Sequence, residues 1–131
     1  LEAVRNLIEE GELLKAKETM DSLNSDDKGY IELKAELDLK IDGKIKSMFE
    51  EVGPEVEEED LEILKNILLY KEDSERAKNM IVKYYIKRGE KYYREKDYEK
   101  AIEEWSNVLE YDPENSTVLI YIETTKKKMR N

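Results

Sequence analysis

Carboxylates, tyrosines and lysines are the groups in this sequence best able to do chemistry, with 33 Asp+Glu and 9 Tyr among 131 residues. There is no histidine and no cysteine. The commonest general base and the commonest metal ligand are therefore missing. Disulfides and thiolate metal sites are excluded, and no metal or other cofactor is expected. Acid pairs such as Glu103-Glu104 are neighbours on a helix and diverge in direction. They do not make the facing pair that glycoside hydrolysis requires. Residues 38–49 place Gly43 at the sixth position of a calcium loop, but Lys40 takes the third position and Phe49 the twelfth, where oxygen ligands are needed. The acidic run from Glu55 to Asp60 reads as a solvated loop feeding the first turn of a helix, where acid complements the helix dipole. A cation site there is the weaker reading. Asn115-Ser116-Thr117 has the form of a glycosylation sequon, but it also serves as a helix start. With no glycine-rich phosphate loop either, no catalytic residue is assigned and the chain is expected not to be an enzyme.

The length fits one domain. Charged residues reach 43 % and apolar residues 39 %, so much of the chain must face solvent, as in thin helical arrays. The net charge of −10 opposes phosphate binding, and no nucleic-acid partner is expected. Apolar runs as short as Ile67-Leu68-Leu69-Tyr70 are too brief to span a membrane. The charge is unevenly placed. Residues 1–81 carry 12 Lys+Arg against 23 Asp+Glu, whereas residues 82–131 carry 11 against 10. A chain opening on Leu1 is expected to derive from a longer product, with any leader upstream.

The elements that would position these groups are helices. Glycine and proline are scarce, at 5 and 2 residues, and Lys, Glu, Leu and Ile dominate. Leu1, Val4 and Ile8 mark a first helix that Gly11 breaks. Leu13, Leu14, Ala16, Met20 and Leu23 suit a second, ending at Asn24-Ser25-Asp26-Asp27. A third spans about Lys28 to Ile41, with Asp42-Gly43 as a turn. Ile45, Met48, Phe49 and Val52 give a short fourth, stopped by Gly53-Pro54. Leu61, Leu64, Ile67 and Leu68 make the fifth. Asp73 or Ser74 caps a long sixth helix reaching Glu95. After Lys96-Asp97 a seventh runs from Tyr98 to Tyr111. Pro113 opens the next turn, Asn115 or Ser116 caps, and an eighth helix buries Val118, Leu119, Ile122 and Met129. About eight helices with short turns make an all-α stack of antiparallel hairpins.

Residues 82–115 carry a recurrent pattern. Tyr85, Gly89, Tyr92, Ala101, Trp105 and Pro113 fall at the marked places of a helix–turn–helix unit of roughly 34 residues. Gly89 and Ala101 let two helices approach, and Tyr85, Tyr92 and Trp105 fill the space around that contact. The segment resembles a tetratricopeptide repeat (TPR), although Arg88 departs from the usual Leu and Val108 from the usual Ala. Gly11 to Leu23 and Gly43 to Val52 look like further half-repeats, so residues 1–81 read as degenerate TPR-like hairpins or unrelated ones. Residues 82–131 read as the repeat plus a capping helix.

The resemblance implies a TPR-like α-solenoid that acts as a protein-binding scaffold. By analogy with the family, Lys83, Ile86, Lys87, Glu90, Tyr93 and Arg94 line a concave groove. Thr117, Ile120, Tyr121, Thr124, Lys127 and Lys128 do the same on the last helix. Lys83, Lys87, Arg94, Lys127 and Lys128 make that groove locally basic, and Tyr93 and Tyr121 offer packing surface. The expected partner is a protein or peptide, favoured if acidic. The alternative is a structural or oligomerisation segment of a larger repeat protein, with contacts to neighbouring repeats or a second copy.

Overall fold

Buried side chains recur every three or four residues along almost the whole chain. In a computed structural model that describes residues 1–23 and 27–131, these stripes form seven helices and no strand. Helix α1 (Glu2–Glu9) buries Val4 and Ile8, and α2 (Leu13–Leu23) buries Ala16 and Met20. Helix α3 (Lys28–Glu51) is the longest. Helices α4 (Glu58–Tyr70), α5 (Glu75–Arg94), α6 (Tyr98–Val108) and α7 (Ser116–Arg130) complete the order. The break expected at 24–27 lies, apart from Asp27, outside the described residues.

One expected turn is absent. Helix α3 runs straight through Asp42-Gly43, so two expected helices are one. The physical reason is its buried stripe, Tyr30, Leu33, Leu37, Ile41, Ile45 and Met48, which keeps helical spacing across that dipeptide. A glycine inside a helix costs only about 1 kcal/mol relative to alanine, less than unburying either half of the stripe. Some expected faces are also corrected. Leu119 and Met129 are each 45 % exposed, and the buried residues of α7 are Val118, Ile122 and Thr125. Leu1 and Leu23 are exposed as well, as are Ile31 and Leu39 on the outer side of α3.

The helix ends follow local chemistry. Ser74 Oγ accepts the Ala77 N–H, Asp97 Oδ1 the Lys100 N–H, and Asn115 Oδ1 the Val118 N–H. Asn115 is thus engaged in a cap. Asp60 Oδ2 accepts the Glu57 N–H at 3.0 Å, which ties the acidic run to the start of α4. Helices α1 and α5 close with paired bonds to their last turn, Glu12 N–H to the Leu7 carbonyl and Asp97 N–H to the Tyr92 carbonyl, both at 2.9 Å. The left-handed residue this ending needs is Gly11 (φ 79°) in one case and Lys96 (φ 64°) in the other.

Packing runs through consecutive pairs, from α1 against α2 to α6 against α7, and is most extensive between α5 and α6. The Tyr30 hydroxyl donates to the Met20 carbonyl at 3.0 Å and ties α3 to α2. The Arg76 guanidinium lies 4.0 Å over the Phe49 ring and ties α5 to α3. The result is a row of stacked antiparallel helices.

Candidate functional site

The tightest contact in the stack prepares the candidate site. Helix α6 lays Trp105 across Gly89 of α5, and a Cβ at position 89 would overlap the indole. The Trp105 Nε1–H donates to the Ile86 carbonyl at 3.2 Å, one turn back along α5. Trp105 is 3 % exposed. Its ring is flanked by Tyr121 at 5.1 Å and Tyr93 at 6.0 Å, and Tyr98 stands 5.4 Å beyond Tyr93. Four rings from three helices thus form a continuous aromatic row, with offset and tilted geometry of the kind such pairs prefer.

Above this row lies an open groove of about 490 Å³ between α5 and α7. Helix α5 contributes Glu90, Tyr93 and Arg94; α7 contributes Ile120, Tyr121, Thr124 and Thr125; Trp105 is the floor. The two helices meet the groove with faces repeating at helical spacing. Position 83 shares its face of α5 with 87, 90 and 94, and position 117 shares its face of α7 with 120, 121, 124 and 128.

The structure brings together Tyr93, Arg94 and Tyr121 of the residues expected to bind a partner. Lys83 and Lys87 lie further back on the same face of α5, exposed and outside the groove lining. Lys87 Nζ stands 3.5 Å from Glu55 Oε1. Lys127 is exposed on the last turn of α7. Lys128 Nζ sits 5.1 Å over the Tyr93 ring and 6.0 Å from Tyr98, at the end of the aromatic row. The adjacent Tyr93 hydroxyl raises the Lys128 ammonium above its ordinary pKa. The cavity lining itself therefore holds one cation, Arg94, and one carboxylate, Glu90, and the other expected cations lie outside it. Trp105 as groove floor was missed at the level of sequence, where it read as core alone. It is both, since this buried ring also lines the pocket beside Tyr93 and Tyr121.

The acidic segment shows no comparable construction. Among the described residues no group of three or more Asp or Glu side chains is placed to hold a metal ion. The Glu57 carboxyl is raised above its usual pKa, first by its hydrogen bond to Glu59 and then by repulsion from its acidic neighbours. Residues 38–49 belong wholly to α3, so no calcium loop forms there.

Residues 82–115 match the family model of the tetratricopeptide repeat. No curated protein and no solved structure matches the chain. The matched segment comprises most of α5, all of α6 and the turn to α7, which is the hairpin that holds Gly89 against Trp105. A repeat of this family in an all-helical stack indicates a scaffold of the protein-binding class.

Proposed function

We propose that this chain is a non-catalytic scaffold that holds an acidic segment of another protein along the α5–α7 groove. The observation that carries the reading is the groove itself, an aromatic floor beside Arg94 with further cations on the same helix faces. Arg94 can grip a carboxylate with two parallel hydrogen bonds. Lys83, Lys87, Lys127 and Lys128 supply attraction along the approach, and Tyr93 and Tyr121 pack on the segment's side chains. Exposed charges are screened over roughly 8 Å at physiological ionic strength, so affinity should be modest and should fall with salt.

The test is fluorescence anisotropy of a labelled acidic peptide, with a neutral peptide of equal length as control. Changing Lys87→Glu and Arg94→Glu together should weaken binding about tenfold at low salt, since each reversal removes one exposed pairing and adds repulsion. Undiminished binding by the folded double variant would put the segment on another surface.

A second reading has one observation in its favour. Leu119 and Met129 stand exposed on α7, where a neighbouring repeat or a second copy could cover them. Sedimentation equilibrium separates the two readings, because the groove reading requires no self-association.

A further inference from the structure

We propose that the groove is built around one apolar side chain of the partner, seated between Tyr93 and Tyr121 above Trp105. An acidic partner residue meets Arg94 and a basic one meets Glu90. This rests on the groove reading above and replaces its acidic segment with one of mixed charge around an apolar anchor.

The argument begins at the floor. The one N–H of the Trp105 indole is spent on the Ile86 carbonyl, so the ring itself has no free donor to aim at an incoming carboxylate. A carboxylate laid on the ring, away from the Arg94 guanidinium and the Tyr and Thr hydroxyls of the walls, would lose water without gaining a partner, which is unfavourable. A hydrocarbon side chain loses nothing there and covers aromatic carbon. Ile120 is 63 % exposed on the lip, an apolar residue that such an anchor would cover. The groove's volume, about 490 Å³, admits a side chain together with some of its backbone.

The rim then selects the neighbours of the anchor. Glu90 and Arg94 lie one helical turn apart on α5, and no ion pair joins them among the described residues. Side chains so spaced stand about 5–6 Å apart at Cβ. A uniformly acidic segment would satisfy Arg94 and be repelled by Glu90. A segment with opposite charges on either side of its anchor satisfies both.

Trp105 is the chain's single tryptophan, so its fluorescence reports on the floor directly. The probes are blocked eight-residue peptides with cores Asp-Leu-Lys and Lys-Leu-Asp, their Ser-for-Leu counterparts, and an all-acidic peptide without an apolar residue. One leucine order should shift Trp105 emission saturably, with affinity about tenfold above its serine counterpart, the scale expected for covering one aliphatic side chain. Ile120→Ser, at an exposed position that leaves the fold intact, should erase most of that difference. Equal binding of leucine and serine peptides overturns the anchor. If the acidic peptide binds in a salt-dependent way and leucine adds nothing, the anchor fails and the acidic-segment reading stands. If no peptide perturbs Trp105 or the amide resonances of α5 and α7, both fail.

Discussion

Replacing Trp105 by alanine should destabilise the protein by about 3–5 kcal/mol, the range for truncating a buried large aromatic residue. The site has little means of collapsing. Gly89 beneath the ring has no side chain to move into the gap, and Tyr93 and Tyr121 are held on separate helices on either side of it. The indole N–H leaves with its ring, so no buried donor is orphaned, and the loss is one of packing and one hydrogen bond. The measurement is urea denaturation followed by circular dichroism at helical wavelengths. In the variant α5, α6 and α7 should lose helicity ahead of α1–α4. A loss below about 1 kcal/mol would show that the ring is not the keystone its burial suggests.

The second large effect is expected from Gly89→Ala, where two terms oppose each other. In a helix interior the change normally gains about 1 kcal/mol from propensity. Here the added carbon would occupy space held by the Trp105 indole. Either the ring moves, breaking its bond to the Ile86 carbonyl, or α5 and α6 separate along their most extensive contact. Overpacking of this kind typically costs 1–3 kcal/mol and the lost hydrogen bond about 1 more, so the net should be a destabilisation of about 2 kcal/mol. The double variant is the sharper check. With Trp105→Ala present, the space above position 89 is empty, and Gly89→Ala should turn stabilising. A penalty that persists without the indole would place its origin elsewhere.

These two residues show why the α5–α6 hairpin was legible in the sequence. Gly89, Ala101 and Trp105 lie within one short segment, and the packing that joins them depends on spacing that can be counted. Helix α3 was misread for the opposite reason. Asp42-Gly43 is a strong local turn signal, and the stripe that overrides it is visible only when Tyr30 through Met48 is followed without a break. On α7, Leu119 and Met129 were assigned to the core because they are apolar. The neighbours of α7 bury Thr125 in preference, a matter of helix orientation that composition does not encode. The groove was expected through the resemblance alone. Tyr93, Arg94 and Tyr121 line the pocket between α5 and α7. The lysines share its helix faces but stop short of its lining, since reach depends on side-chain direction and on how α5 and α7 splay. Glu90 and Arg94 were visible together on one helix face, but the aromatic floor beside them was not.

The consecutive packing of the helices has a consequence for how the protein opens. A residue in α1 is held chiefly by α2, whereas a residue in α5 or α6 is held from both sides. Amide hydrogens should therefore exchange with deuterium on a graded schedule. The amides of α1, eight residues long with two buried side chains, should exchange first through fraying that leaves the remaining helices intact. Those around Gly89 and Ala101 should be last, at a rate set by dissolution of the whole α5–α6 pair. A single uniform protection across α1 and α5 would mean that the stack opens as one cooperative block. With the graded outcome, the pocket between α5 and α7 stands on the slowest-opening part of the molecule, its Trp105 floor and Tyr93 side already formed while the amino-terminal helix is still breathing.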